Sequence, residues 1–137
     1  MSAEHERWME LALEEARRAH AQGEVPVGAV AVRGAEILRR GGNRTEELQD
    51  PTAHAEMIAL REAARALDSW RLIGVTLYAT LEPCAMCAGA CVLARIVRLV
   101  YGAFDPKAGM SGSLASLPDD PRLNHRVDIV PGVRADE

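Results

Sequence analysis

Two short runs hold residues that could do chemistry together: His54-Ala55-Glu56 and Pro83-Cys84-Ala85-Met86-Cys87. Cys84 and Cys87 stand three apart, so on one helix both sulfurs can face the same point. One imidazole and two thiolates make three protein ligands for a tetrahedral zinc ion. The fourth position stays open, which is the mark of a catalytic site rather than a closed structural one. Both runs read as helix starts, where the positive end of the backbone dipole favours thiolates and an activated water. Glu56 follows His54 by two residues and points away from the imidazole on a regular helix. It is poorly placed as a fourth ligand and suited to moving protons as a general acid/base. Taken singly, the C-x-x-C also reads as a redox pair or chance helix spacing, and the H-x-E as a solvated helix start. Found together, in this order and at two helix starts, they are far more specific.

These runs need elements to bring them together. Residues 3–20 predict an amphipathic helix, with Trp8, Leu11, Ala12, Glu15 and Ala19 at helical spacing and Gly23 as a stop. The valine-rich run 27–32 suits a strand buried on both faces. Gly34 turns the chain into a second strand over 36–41, giving a hairpin. Residues 43–52 read as a loop. A helix follows, capped by Asp50 or Thr52, with Met57, Leu60, Ala64 and Leu67 as its apolar stripe. A strand over 75–80, a helix over 84–94 and a strand over 96–102 predict a right-handed parallel crossover. Residues 103–124 read as a long loop with a short helix near 114–117, and 126–130 as an edge strand. The result is a single α/β domain over residues 1–137, a mixed sheet with helices on both faces.

Composition narrows the function class. The chain has 137 residues, 48% of them hydrophobic and 26% charged, which suits one soluble domain. Residues 1–18 lack a secretory apolar core, and no run approaches the ~20 apolar residues of a membrane span. The expected location is the cytoplasm. Net charge is −4 and Lys107 is the only lysine, which argues against binding driven mainly by phosphate neutralisation.

The order H-x-E then P-C-x-x-C is a known signature of zinc nucleobase deaminases. Several wider blocks resemble the bacterial tRNA adenosine deaminases of the cytidine deaminase superfamily. They are residues 24–30, Gly42-Asn43-Arg44, residues 50–56, residues 80–90, Gly112-Ser113-Leu114 and Asn124-His125-Arg126-Val127. They cover almost the whole chain. The resemblance implies a three-layer α/β/α sandwich around a five-stranded mixed sheet, with one zinc per subunit on His54, Cys84 and Cys87. It implies hydrolytic deamination of adenosine to inosine at the wobble position of a tRNA anticodon. A zinc-activated water would attack adenine C6 while Glu56 shuttles protons. It further implies that Asn43 contacts the target nucleoside, that Asp105 and Lys107 lie in an RNA-contacting loop, and that the protein is a homodimer. The family continues into a C-terminal helix with aromatic and basic residues for the anticodon stem. This sequence stops at Arg134-Ala135-Asp136-Glu137, before such a helix. Two alternatives accompany this reading: a deaminase acting on guanine or on adenine in single-stranded DNA, and a non-catalytic zinc-containing RNA-binding subunit. The second has no need of Glu56.

Other residues carry plainer expectations. Cys91 reads as a small buried residue ahead of a third thiolate ligand, and His125 as a hydrogen-bonded structural histidine ahead of a ligand. His5 and His20 are expected in solvent. Trp8 and Trp70 read as core or interface anchors, Met86 as packing or lining a pocket. Arg95 and Arg98 read as solvated surface, or as a dimer or RNA contact.

Overall fold

The computed structural model describes residues 2–137. The first helix, α1 (Ser2–Ala21), buries Trp8, Met9, Ala12 and Leu13 on one face. Two strands follow as a hairpin, β1 (Gly28–Arg33) and β2 (Glu36–Gly42), with a bulge where Ala31 and Val32 pair with Arg39 and Ile37. A four-residue helix, α2 (Thr45–Leu48), interrupts the stretch that reads from sequence as loop. Then come α3 (Ala55–Leu67), β3 (Val75–Leu81), α4 (Ala85–Ala94), β4 (Arg98–Ala103) and β5 (Asp128–Val130). The sheet order is β2-β1-β3-β4-β5. β1 runs antiparallel to both its neighbours, while β3, β4 and β5 are parallel. This is the mixed five-stranded sheet that the sequence predicts.

The alternation of side chains sorts the two layers. Ala29, Ala31, Leu77, Ala79, Leu99 and Tyr101 face α3 and α4. Val30, Val32, Tyr78 and Val100 face α1. Strand β1 is buried on both sides, which is why it reads as an unbroken apolar run. Each buried aliphatic side chain contributes about 1.5–3 kcal/mol. The small residues set the spacing. Ala55, Ala59 and Ala63 form the buried face of α3 against the alanines of β1 and β3. Gly28 is required where α1 crosses the sheet, because a Cβ there would stand 2.0 Å from the Ala12 carbonyl oxygen.

Several boundaries differ from the sequence expectation. Helix α3 is capped by His54 in extended conformation, not by Asp50 or Thr52. The Asp50 carboxylate is already engaged in a local turn, accepting from the Thr52 amide at 2.8 Å and the Thr52 hydroxyl at 2.7 Å. Cys84 likewise caps α4 rather than standing inside it. Residues 114–117 form bends and one side of a single bridge, Ser111 to Ser116, with no helix. Strand β4 starts at Arg98 because Arg95 closes α4 in the left-handed conformation and the Ile96 amide still bonds back to Cys91. Strand β5 starts at Asp128, later than expected.

His5 is also not in solvent. It is buried, with Nδ1 2.8 Å from the Tyr78 hydroxyl. Its ring covers a polar tip that the α1 face would otherwise bury without a partner. His20 is exposed as expected. Trp8 lies in the core, while Trp70 is 60% exposed with the Arg71 guanidinium over its ring. No helix among the described residues is long and apolar enough to cross a membrane.

Candidate metal centre

The N-termini of α3 and α4 meet beside the end of β3. His54 caps the first helix, Cys84 caps the second, and Cys87 lies in the first turn beyond Cys84. The caps are held in the ordinary way: the Ile58 amide donates to the His54 carbonyl at 3.0 Å and the Ala88 amide to the Cys84 carbonyl at 2.8 Å. This places His54 Nδ1 3.7 Å from Cys84 Sγ and 3.6 Å from Cys87 Sγ. Among the described residues this is the one such group, with all three ligand atoms within 4.8 Å of one another.

The spacing can be tested against zinc. Tetrahedral bonds of about 2.3 Å to sulfur and 2.0–2.1 Å to nitrogen put those atoms about 3.6 Å apart. The two observed separations match that value. Two soft sulfurs with one imidazole nitrogen also suit zinc chemically. Burial pushes the Cys87 thiol far above its ordinary value, and the charges of Glu56 and Cys84 push the same way. A dication bound at the triangle would reverse that balance, since a coordinating thiol is deprotonated outright, and the two helix N-termini favour the thiolates in the same direction. The residues present fit the ion.

Glu56 is 4% exposed and stands in the first turn of α3, outside the ligand triangle. Burial raises its carboxyl from 4.5 to about 7, against hydrogen bonds from its own amide and from Cys87 that work in the other direction. A carboxyl poised near neutrality can take and return a proton. A cavity of about 220 Å³ opens onto this group, lined by His54, Glu56 and Cys84, and on its walls by Asn43, Asp105 and Val25. Its size admits one small planar group, below the ~300–1,000 Å³ of drug-sized ligand sites. Larger clefts of about 520 and 560 Å³ share Asn43 and Val25 with it, respectively, but include neither a metal ligand nor Glu56.

Asn43 is buried, and its amide nitrogen donates to Glu24 Oε1 at 3.3 Å and to Thr45 Oγ1 at 2.9 Å. A carboxylate only accepts, so the neighbouring Glu24 fixes which way this amide faces. The Asn43 oxygen lies on the other side of the amide, away from Glu24. Asp105 starts the turn after β4, where its Oδ1 accepts from the amides of Lys107 and Ala108. The structure thus brings together His54, Glu56, Cys84, Asn43 and Asp105 around one cavity, with Cys87 buried directly behind. Lys107 is exposed on the same turn and is not part of the cavity wall. Cys91 is fully buried in the core and outside the metal group. His125 donates from Nε2 to the Ile96 carbonyl at 2.7 Å, which ties the strap before β5 to the end of α4. Met86 is half-buried and does not line the cavity.

Two buried carboxylates beside the site are not singled out by the sequence reading. Glu24 is 5% exposed and Glu82 is 2% exposed. For both, burial opposes the charge. Hydrogen bonds outweigh it and hold the carboxyls below their ordinary value, from the Glu46 and Glu47 amides for Glu24 and chiefly from Ser113 for Glu82. Their only sequence signal is an acidic residue abutting an apolar run, Glu24 before Val25-Pro26-Val27 and Glu82 after Thr80-Leu81.

Comparison with known proteins agrees with this geometry. Residues 2–103 match the family described as the cytidine and deoxycytidylate deaminase zinc-binding region. The tRNA-specific adenosine deaminase of Bacillus subtilis (strain 168) is 52% identical over 132 residues, 96% of this chain and 82% of that one. A solved structure from biochemical and structural studies of A-to-I editing by tRNA:A34 deaminases superposes with a TM-score of 0.91. It is 49% identical and covers 95% of this chain and 94% of its own. Guanine deaminase from Bacillus subtilis gives a TM-score of 0.73 at 36% identity, covering 80% of this chain and 70% of that one. On these grounds the chain belongs to the tRNA-specific adenosine deaminases, and it carries the zinc-binding region of the cytidine and deoxycytidylate deaminases.

Proposed function

We propose that this protein converts adenosine to inosine at the wobble position of a tRNA anticodon by zinc-dependent hydrolysis. The observation that carries the reading is the triangle of His54 Nδ1 and the two cysteine sulfurs, opening with Glu56 onto one small cavity. His54, Cys84 and Cys87 would hold the ion. When bound, zinc supplies the Lewis acidity that activates a water for addition to a ring carbon. The remaining work falls to the chain's own groups. Glu56 takes a proton from the attacking water and delivers one to adenine N1. It then takes the remaining proton from the new C6 hydroxyl and passes it to the exocyclic amine, so that the C6 carbonyl forms as the C–N bond breaks and ammonia leaves. The apolar wall at Val25 limits water around the base. Asn43 offers its oxygen to a nucleoside hydroxyl, and Asp105 orients the flanking nucleotide. Lys107, exposed on the same turn, meets the RNA backbone. A base in a hairpin loop is already unstacked, so extruding it costs less than flipping it from a duplex.

The working form in this reading is a cytoplasmic homodimer with one zinc per subunit. Its support is a group of exposed apolar side chains near the end of α4: Trp70, Ile73, Leu93 and Val97. The Leu72 amide bonds to the Ala94 carbonyl and so holds segment 70–73 beside that helix end. The deciding experiment incubates zinc-loaded protein with an RNA anticodon stem-loop carrying adenosine at the wobble position. The same loop in DNA, free adenosine and free guanine serve as comparisons. Inosine should form on the RNA loop fastest by orders of magnitude. Turnover of guanine alone would replace this reading with the guanine deaminase one.

A further inference from the structure

The cavity has two walls, and each hangs on one buried carboxylate. On one side Glu24 accepts from the Glu46 amide at 3.0 Å, the Glu47 amide at 2.7 Å and the Asn43 side chain at 3.3 Å. This fixes α2 and Asn43 against the start of the hairpin. On the other side Glu82 accepts from the amides of Asp105 at 3.0 Å, Ser111 at 3.1 Å and Ser113 at 2.8 Å, and from the Ser113 hydroxyl. The turn wraps closely around this carboxylate: a Cβ on Gly109 would stand 2.3 Å from its carboxyl carbon. Pro83, the next residue, accepts from the Met110 amide, so the segment leading into Cys84 and the loop carrying Asp105 are one hydrogen-bonded unit. Every one of these partners is a donor. A carboxylate satisfies them all, whereas an amide of the same shape would turn its NH₂ against a donor.

We infer that Glu24 and Glu82 are positioning residues of this deaminase, Glu24 acting through Asn43 and Glu82 through Asp105. The inference rests on the proposed roles of Asn43 and Asp105 as substrate contacts. Neither carboxylate needs to touch the RNA; each holds in place a residue that does.

The test uses the zinc-loaded full chain and the RNA stem-loop. Glu24→Gln, Glu82→Gln, Asn43→Ala, Asp105→Ala and the paired doubles are compared for KM, kcat and zinc content. Each Gln variant should keep its zinc and lose about 10- to 100-fold in kcat/KM, much of it as a raised KM. A merely unstable variant loses active enzyme, and so lowers kcat at unchanged KM. Glu24→Gln should add little in the Asn43→Ala background, and Glu82→Gln little in Asp105→Ala, while the crossed pairs multiply. Effects that multiply within each pair, or Gln variants with wild-type KM, overturn the inference. Silent Asn43→Ala and Asp105→Ala variants sink the contact reading and this inference with it, which separates the two failures. Should Glu82→Gln not fold, Ser113→Ala removes one donor and leaves the carboxylate. It should raise KM severalfold, and an unchanged KM there counts against the role of Glu82.

Discussion

At the scale of single residues, the site divides into groups that hold a metal and one that moves protons. Glu56 lies outside the ligand triangle yet lines the same cavity. Its removal should therefore leave the metal in place. Glu56→Ala is expected to retain full zinc by elemental analysis while inosine formation falls by roughly 10²–10⁴-fold, the usual worth of a general acid/base. Retained activity would refute the assigned role; lost zinc would make Glu56 a ligand. The cysteines separate the other way. Cys87 closes the triangle at 3.6 Å from His54 Nδ1, while Cys91, one turn on, is buried among core residues. Cys87→Ala should lose zinc, and Cys91→Ala should keep it with only a modest loss of stability from the removed packing. Equal zinc content in the two variants contradicts this division.

At the scale of elements, α1 is fastened to the sheet by polar contacts at two places: His5 bonds Tyr78 of β3, and Arg40 of β2 bonds Glu14 and Glu15. Burial, followed by the nearby Arg98, lowers the His5 pKa from its ordinary 6.5, with Glu4 opposing. The folded state thus binds this proton less readily than the unfolded chain. Stability is fully present above pH 6.5 and declines as pH falls below it towards the folded value. Thermal melts at pH 7.5 and 5.5 should show a loss of Tm that is smaller in His5→Gln, which cannot titrate. Identical slopes would mean that carboxylates account for all of the acid sensitivity. His5 also shows what the sequence leaves illegible. Short apolar runs bounded by turn residues, and helical spacing in α1, locate β1, β2, β3, α1 and α4 to within a residue or two, because burial of whole faces dictates them. They do not show that a histidine on the rim of α1 meets a tyrosine hydroxyl 73 residues away. The start of α3 is misread for a similar reason. Asp50 is a fair cap by type, but its carboxylate is captured by Thr52 two residues on. The ligand set was legible because its spacing is short and its chemistry rare. Glu24 and Glu82 were not, because a carboxylate announces nothing of the amides that fold around it.

At the scale of the molecule, the metal centre is where both helices of one layer start and where β3 ends. An ion held by His54, Cys84 and Cys87 cross-links the first residue before α3 to the first turn of α4, segments 30 residues apart in sequence. Both helices continue from this point into one core through Ala55, Ala59, Cys91 and Val92. The unfolded chain has no such preformed triangle, so binding free energy becomes folding free energy. At free zinc 100-fold above the dissociation constant the linkage contributes about 2.7 kcal/mol. For a domain of this size that corresponds to a rise in Tm on the order of 10 °C. Stripping the protein with a chelator should lower its Tm by that amount, and zinc added back should restore it in a concentration-dependent way. In Cys87→Ala the same titration should move Tm little, because the triangle is open. Glu56→Ala should respond as the wild type does, since its carboxylate stands outside the ligand set. Equal Tm values for metal-free and zinc-loaded wild-type protein would show that the two helix starts are held by packing alone, and that the ion serves the chemistry without supporting the fold.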